Sequence, residues 1–364
     1  MSEKTEMLRE LNGVDASYEG YTYLPHLLFI YAPFYFIYKL VTDGRPPISG
    51  GHFEGPFMLI EPNIYVFLVL IKVPIIIADA AITYTLAVKS HRIGLIYAFL
   101  PYSITITSIW GAFDPLVGLL LLLTAMNLDK RPLVAGLLFG IAVMKLYVIV
   151  TLPAILLYFS KNRRNLVVFL IGLTASQIPT LLFLIQNPET MLNSILFHTS
   201  RSPGGVNFLH LAPKLYSYDL QSFVNKLALL TLGIAVSVLA LKSGKGFGRY
   251  LVPSLAAYMA IGPVTNEQHL SSILPLLFYR GRSLLALWLS YAYLFYALLY
   301  SGPAYYTRPI SAISEDLNDI LLIINQSWYA IFADITSQLL YGLAVICSLT
   351  LFHAIKGFVQ KVAA

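Results

Sequence analysis

Long apolar runs separated by short polar segments make up most of this chain. The clearest run is Asn63–Val88, and several others, such as Ser283–Tyr300, also approach the roughly 20 residues that an α-helix needs to cross a bilayer. Other runs are too short for separate spans, such as Pro132–Met144 and Tyr147–Phe159 on either side of Lys145, and these predict broken or re-entrant helices. The pattern predicts an all-α, polytopic membrane protein with about nine to eleven membrane segments. The remaining predicted segments are Leu24–Val41, Ile93–Trp110, Leu116–Asn127, Leu166–Ile185, Ser222–Leu241, Leu251–Ile261, Leu270–Tyr279 and a final span ending near Phe352.

The composition agrees with a membrane protein. A mean hydropathy of +0.72, with only 12% charged residues, excludes an ordinary soluble domain, in which about a quarter of the residues would be charged. The net charge of +6 comes mainly from short polar segments, so it does not indicate a nucleic-acid partner. The single cysteine, Cys347, excludes a disulfide framework and a cysteine-based metal site.

Lysine and arginine are concentrated in six polar segments that alternate along the chain and contain only one acidic residue, Asp129. The positive-inside rule places these segments in the cytoplasm, and Asp114, Arg201 and Glu267 then all face outward. We therefore predict one multi-pass domain over residues 1–364 in the plasma membrane, with its active face outward. The basic segments are 89–92, 129–131, 161–164, 242–249, 280–282 and the C-terminal tail, and the predicted outer loops are 42–62, 186–221 and 301–333.

Asp114 lies in a short polar turn, residues 109–116, between two apolar runs. Ionisable residues at membrane depth are costly and usually functional, which predicts that Asp114 faces a site at the outer surface. The alternative is that Asp114 caps the helix that Pro115 begins, since aspartate is a favoured N-cap and proline a favoured first helical residue. The two roles are compatible.

Three further ionisable groups lie within or beside apolar runs. Lys72 and Asp79 are seven residues apart on one predicted helix and share a face, so they predict either a proton or substrate path or a tie between helices. The structural role is favoured for Asp79, whereas Lys72, near the outer end of its helix, is expected to meet an anion. Lys145, at the break between two short segments, is another candidate.

Two polar segments contain candidates for binding and proton transfer. In the loop 195–208, Arg201, His198 and the amides of Gly204-Gly205 could surround a phosphate, because the guanidinium group pairs with phosphate oxygens bidentately. The alternative for this loop is ordinary solvation. In the segment 265–269, we predict that His269 donates to a leaving group and that Glu267 orients it. No metal-ligand spacing and no nucleotide motif is present, so no cofactor is predicted and a divalent cation is left open.

Five segments resemble, in order, the motifs of the class C (GT-C) glycosyltransferases, in the branch near GPI mannosyltransferase I and its prokaryotic relatives. Trp110–Leu116 is similar to the family's "W-G-Q-F-D-x-L", and Ile71–Asp79 is similar to "L-K-L-P-x-x-x-A-D". Leu11–Pro25 looks like its "L-x-G-x-x-P-Y" element, His198–Phe208 like its "H-x-x-R" and "N-F-S" loop, and Val264–Pro275 like its "E-Q-Y" segment.

The resemblance implies a GT-C-like helical bundle and a hexosyltransferase that inverts the anomeric centre. Such an enzyme moves mannose or another sugar from a polyprenyl (dolichyl) phosphate to a lipid- or protein-linked glycan at the outer face of the membrane. The family has a first transmembrane helix and a catalytic aspartate before the element like Leu11–Pro25, and we expect both to be missing from the sequence as it starts at Met1. A mis-assigned start codon is the favoured explanation, and the alternatives are a truncated or inactive paralogue or a second chain that supplies the helix. The implied site residues are Asp114, Glu267 and His269 in catalysis, Arg201, His198 and Lys72 at the donor phosphate, and Asp79, Lys145, Gln268 and Asn207 in support.

Two other functions fit the same sequence. A lipid-linked-sugar transporter or flippase would also need intramembrane groups such as Lys72 and Asp79, although it requires binding sites that both faces can reach. A catalytically inactive partner subunit of a transferase would fit the missing first helix. All three functions share lipid-linked sugars and membrane lipid as partners.

Overall fold

The computed structural model describes residues 23–44, 62–189, 191–192, 204–205, 248–261, 264–300, 356 and 360. These residues are helical almost throughout, which confirms the prediction of a helical fold. The α-helices are α1 (His26–Val41), α2 (Pro62–Lys89), α3 (His91–Ala98), α4 (Pro101–Ile104), α5 (Asp114–Asn127), α6 (Pro132–Ala142), α7 (Leu152–Tyr158), α8 (Arg163–Ser176), α9 (Ile178–Gln186), α10 (Gly248–Ile261), α11 (Leu274–Tyr279) and α12 (Ser283–Tyr300). The other elements are a π-helix (Thr105–Trp110), three 3₁₀ helices (Leu146–Thr151, Phe159–Lys161 and Glu267–Ser272) and two short strands, β1 (Gly204–Gly205) and β2 (Val264–Thr265).

Several predicted boundaries agree with the structure. The run Asn63–Val88 corresponds to α2, and the run Ser283–Tyr300 has the same bounds as α12. The predicted break at Lys145 is also present, because α6 ends at Ala142 and a 3₁₀ helix begins at Leu146.

Two runs that the hydrophobic pattern predicts as single segments are broken in the structure. The run Ile93–Trp110 bends by 49° between α3 and α4, where Pro101 begins the new helix. The run Leu166–Ile185 bends by 44° at Gln177, with Pro179 in the first turn of α9. Proline lacks the N–H that would continue the preceding helix and suits the first turn of a new one, so both bends have the same cause.

One helix among the described residues, within α2, is long and apolar enough to cross a membrane. Each of the two bent pairs would add one more crossing if it counts as a single span. The predicted spans at Ser222–Leu241 and near Phe352, and most of the predicted outer loops, lie outside the described residues. The number of membrane segments therefore stays a prediction.

The chain forms two compact units. The first contains the described residues up to Phe29 and those from Val117 to Asn266, and the second contains those from Ile30 to Leu116 and from Glu267 onward. The chain passes between the units more than once, so neither is a continuous stretch that would form an ordinary domain. The predicted single domain stays a prediction.

Small residues line the contact between α6 and α8 in the first unit. Gly136 and Gly140 lie four residues apart on α6, and Gly172 and Ser176 have the same spacing on α8. Residues four apart lie on one face of a helix, so each helix presents a pair of small residues to the other. This small-xxx-small pattern lets two helix backbones approach closely, and it is common where helices associate in membranes.

The clearance at this contact leaves no room for a side chain. A Cβ atom added to Gly136 would overlap the main-chain carbonyl oxygen of Phe169, and one added to Gly172 would overlap the carbonyl of Leu133. The obstacle is backbone on both sides, so no rotamer change can relieve it. The Phe139 ring packs beside the Phe169 ring, with 6.0 Å between their centroids.

Side chains bind the main-chain carbonyl groups at the end of this contact. The Gln177 amide nitrogen donates to the Gly140 carbonyl at 2.8 Å, and the Nε2 atom of His26 donates to the Ser176 carbonyl at 2.6 Å. The break between α8 and α9 is therefore bonded to two other parts of the first unit, by a bond that Gln177 donates to α6 and a bond that His26 donates to Ser176.

The glycine contact makes a direct prediction about stability. We expect Gly136→Ala to destabilise the protein by about 1–3 kcal/mol, the usual cost of forcing extra atoms into a packed interface. Alanine has the higher helix propensity, by about 1 kcal/mol, so only the clash can produce a loss. The free energy of unfolding of the detergent-solubilised protein measures the effect.

The matched control adds bulk to the same helix away from the contact. Val134 is exposed on α6, so Val134→Ile should leave the free energy of unfolding within about 0.5 kcal/mol, as expected for a surface substitution. A Gly136→Ala protein as stable as the wild type would contradict the packing described here.

Candidate functional site

The second unit brings together three segments with predicted site residues. These are the middle of α2, the π-helix with the turn that follows it, and the 3₁₀ helix Glu267–Ser272. The first and last segments lie nearly 200 residues apart in the chain. Lys72 of α2 donates to main-chain carbonyl groups of the π-helix, and Tyr102 of α4 donates to the main chain of the 3₁₀ helix.

Lys72 contacts the C-terminal end of the π-helix. Its Nζ atom donates to the carbonyl oxygens of Ser108, at 2.7 Å, and Ile109, at 3.1 Å. The last carbonyls of a helix have no partner within the helix and carry partial negative charge, so an ammonium group there satisfies them and offsets that charge. Single-turn π-helices inside helical segments occur often at functional sites.

Gly111 fixes the direction of the chain after the π-helix. Its φ angle is +71°, in the left-handed region that glycine adopts without steric cost. A Cβ atom at this position would lie 3.1 Å from the Cε atom of Lys72, so the lysine side chain fills the space that the missing side chain leaves. The Ala112 N–H then donates to the Ile106 carbonyl at 3.0 Å. Lys72 and Gly111 together hold the turn that leads to Asp114.

Asp114 is the first residue of α5 and has an exposed fraction of 0%. Its place beside Pro115 agrees with a helix-start role, but complete burial distinguishes it from an ordinary solvent-exposed cap. Its carboxylate acts electrostatically on the hydroxyl group of Tyr102, as does the carboxylate of Glu267. The two acidic groups that the sequence predicted to face the same side therefore lie near one buried phenol.

Tyr102 occupies the centre of this arrangement, which we call the Tyr102 cluster: Tyr102, Asp114, Glu267 and Ser271. The Tyr102 hydroxyl donates to the main-chain carbonyl of Glu267 at 2.6 Å, and the Ser271 hydroxyl donates to the Tyr102 oxygen at 3.3 Å. Sequence reasoning missed both Tyr102 and Ser271. The sequence around Tyr102 and Ser271 gives no sign that they interact, because the two residues come together only in the folded chain.

The 3₁₀ helix contains the predicted residues Glu267, Gln268 and His269. The side chains of Glu267 and His269 are buried, whereas Gln268 is partly exposed. The short helix therefore turns the two proposed catalytic side chains inward and leaves Gln268 as the more accessible of the three.

Asp79 connects three helices of the second unit. Its carboxylate accepts hydrogen bonds from the Tyr97 hydroxyl of α3, at 3.0 Å, and the Ser103 hydroxyl of α4, at 2.7 Å. The Tyr97 ring also packs edge-on against Phe278 of α11, at 5.8 Å between centroids. These bonds support the structural role that the sequence favoured for Asp79, because they hold the helices on both sides of the bend at Pro101.

Lys145 lies in the first unit and is buried. Its Nζ atom is 5.3 Å from the centroid of the Tyr23 ring, within the range of a cation–π interaction. The residue precedes the 3₁₀ helix Leu146–Thr151, where Tyr147 stacks on Tyr258 of α10 at 5.1 Å between centroids. Lys145 is therefore placed over the Tyr23 ring at a helix break.

The polar loop 195–208 is described only at Gly204 and Gly205. These residues form β1 and pair in parallel with Val264 and Thr265 of β2. The ladder places the glycine pair beside the residues that come just before Glu267 in the chain. Arg201, His198 and Asn207 lie outside the described residues, so their predicted roles stay predictions.

The described residues contain no group of three His, Cys, Asp or Glu side chains that could hold a metal ion. Comparison of the chain with protein-family models, with curated proteins and with solved structures gave no match. The likeness to GT-C enzymes therefore rests on the sequence motifs alone.

The contact between Lys72 and the π-helix predicts how the Asp114 turn responds to mutation. We expect Lys72→Met to loosen this turn, because methionine keeps most of the side chain's bulk beside Gly111 but loses both hydrogen bonds. With Trp288→Phe and Trp328→Phe in the background, Trp110 is the only tryptophan, and its acrylamide quenching constant should rise about twofold or more with the loss of roughly 1–3 kcal/mol of charge-assisted bonding.

Lys89→Met is the matched control for this measurement. Lys89 lies at the end of the same helix and donates to the Tyr279 carbonyl, so its loss removes a similar bond far along α2 from Trp110. The quenching constant should stay at the wild-type value. Equal quenching in the Lys72→Met and Lys89→Met proteins would show that Lys72 does not hold the turn.

Proposed function

We propose that this chain is a membrane glycosyltransferase that moves a sugar from a polyprenyl-phosphate donor to a glycan acceptor at the outer face of the membrane. The motif resemblance favours mannose and inversion of the anomeric centre. The observation that supports the proposal best is the meeting of separate motif segments in the fold. Motif matches that had arisen by chance would have no reason to contact one another.

Two of the five segments touch in the second unit, and Tyr102 connects a third segment to them. Lys72, from the segment Ile71–Asp79, donates to the residue just before the segment Trp110–Leu116. Tyr102 lies near both Asp114 of that segment and Glu267 of Val264–Pro275. In the first unit, the β ladder pairs the glycines of His198–Phe208 with the start of Val264–Pro275. Four of the five motif segments therefore form two contacting pairs, Ile71–Asp79 with Trp110–Leu116 and His198–Phe208 with Val264–Pro275.

The surface of α2 supports a place in the membrane. Only 22% of its most apolar stretch is buried inside the protein. Large apolar residues are exposed along α2, including Val69, Ile76, Ile77 and Val88. A helix that is apolar all round fits either a protein core or a lipid environment, and low burial favours lipid here.

The proposed reaction forms a bond from the acceptor oxygen to the anomeric carbon of the sugar. The bond from that carbon to the phosphate oxygen breaks, polyprenyl phosphate leaves with the electron pair, and a carboxylate takes the proton of the acceptor hydroxyl. Charge grows on the leaving phosphate, so Arg201 and His198 are proposed to stabilise it. Lys72 already uses two of its three N–H donors on carbonyl groups, which leaves at most one for an anion.

The complete burial of Asp114 favours a second candidate function, an inactive partner subunit of a transferase. A base must reach the acceptor hydroxyl directly or through one water molecule, and a fully buried carboxylate does neither without rearrangement. Affinity purification of the tagged chain from its native membrane tests this candidate. A second membrane protein at equal stoichiometry would support it, and recovery of an active chain alone would exclude it.

Arg201 provides the test of the main proposal. We expect Arg201→Ala to lower kcat for sugar transfer from polyprenyl-phosphate-mannose by about a hundredfold or more, the usual effect of removing one group that stabilises developing charge. Transfer of radiolabelled mannose in membranes that contain equal amounts of each protein measures the change.

Two controls make the assay specific. Arg201→Lys keeps the positive charge but loses the bidentate fork, so it should fall between the wild type and Arg201→Ala. Arg163→Ala removes an arginine from a basic segment predicted to be cytoplasmic and should leave transfer within about twofold, since surface substitutions far from a site have small effects. Equal transfer by wild type and Arg201→Ala would refute the site assignment.

A further inference from the structure

Tyr102 is buried at the bend between α3 and α4. It has an exposed fraction of 1%, so a substrate cannot reach it unless the surrounding residues move. It is the second residue of α4, after Pro101, and its position depends on the bend that the proline starts. The neighbouring residue, Ser103, is held by Asp79. The helix that carries Tyr102 is thus fixed to α2.

The hydrogen bonds of the Tyr102 oxygen have a definite direction. A phenol has one proton to donate, and Tyr102 gives it to the Glu267 main-chain carbonyl at 2.6 Å. The contact with Ser271, at 3.3 Å, must therefore have the serine as its donor. One oxygen atom is bonded to residues four apart, near the two ends of the 3₁₀ helix Glu267–Ser272.

The two hydrogen bonds of Tyr102 connect the ends of a 3₁₀ helix, an element whose own hydrogen bonds are weak. Hydrogen bonds within 3₁₀ helices have poorer geometry than those of α-helices, and long runs are uncommon for that reason. A bond from outside at each end compensates for this weakness. The bridged turn contains Gln268, whose side chain is partly exposed between the buried Glu267 and His269.

We infer that Tyr102 is a positioning residue, whose hydroxyl group holds the 3₁₀ helix so that Gln268 is presented at the surface of the second unit. The Gln268 amide has both donors and an acceptor, which suits the hydroxyl groups of a sugar. This role for Gln268 rests on the proposed function. The positioning by Tyr102 does not, because it concerns only the conformation of the segment.

The first test measures the position of residue 268 without any activity. Gln268→Cys in a Cys347→Ser background gives a protein with one thiol, and its rate of reaction with a polar maleimide is measured in detergent with and without Tyr102→Phe. Phenylalanine keeps the ring and removes both bonds. We expect the labelling rate to change at least threefold. A rate within 1.5-fold (roughly 0.2 kcal/mol, below the worth of one such bond) would overturn the inference.

Two further variants distinguish a specific movement of residue 268 from a general disruption of the fold. Tyr293→Phe removes the hydroxyl group of another fully buried tyrosine, on α12, and should leave the labelling rate unchanged. Ser271→Ala removes one of the two bonds and should give a smaller change in the same direction as Tyr102→Phe. If Tyr102→Phe does not fold, the Ser271→Ala protein decides, and a wild-type labelling rate in it would overturn the inference.

The second test measures sugar-transfer kinetics in the protein that keeps the native Gln268. We expect Tyr102→Phe to lower kcat for sugar transfer about tenfold, which corresponds to one net hydrogen bond of about 1.4 kcal/mol, with KM within about twofold. A change in KM alone would contradict a positioning role. If the wild type transfers no sugar, the proposed function fails, whereas the labelling result still decides the role of Tyr102.

Discussion

Main-chain carbonyl groups at helix breaks need hydrogen-bond partners, and this requirement shapes both units. Where a helix ends or bends, its last carbonyls lose their partners within the helix, and in an apolar environment water does not replace them. In this protein, side chains from other elements bind them. Lys72 binds the end of the π-helix, His26 the end of α8, and Lys89 the end of α11.

This requirement changes how polar residues in apolar runs are interpreted. The sequence set a functional role against a structural one for Lys72, and the geometry shows that the structural role occupies most of its donors. The two roles are linked, because the turn that Lys72 holds leads to Asp114. Asp79 acts similarly through Ser103, the neighbour of Tyr102. Substitution of either residue would therefore affect the cluster even if neither touched a substrate.

The sequence predicted those features that depend on short stretches of chain. The hydrophobic pattern located α2 and α12, and the lysine between two short runs located the break at Lys145. It missed the bend at Gln177, although Pro179 was a local signal for it. The Tyr102 cluster could not be predicted, because Tyr102 and Glu267 are separated by 165 residues and a buried tyrosine looks like any other apolar residue. The spacing of Gly136 and Gly140 is visible in the sequence and indicates that α6 packs closely against another helix. The sequence does not show that this other helix is α8.

The α6–α8 contact and the Tyr102 cluster differ in kind. Contact between α6 and α8 obeys the ordinary rules of helix packing, with small residues facing each other, and it suits a scaffold. The Tyr102 cluster departs from those rules, since it gathers two acidic side chains near one buried phenol, and burial of polar groups is costly unless hydrogen bonds offset it. Natural proteins keep such costly arrangements mainly at functional sites and offset them by good packing elsewhere. The cluster is for this reason a better place to seek function than Lys145, whose charge is matched by an aromatic ring.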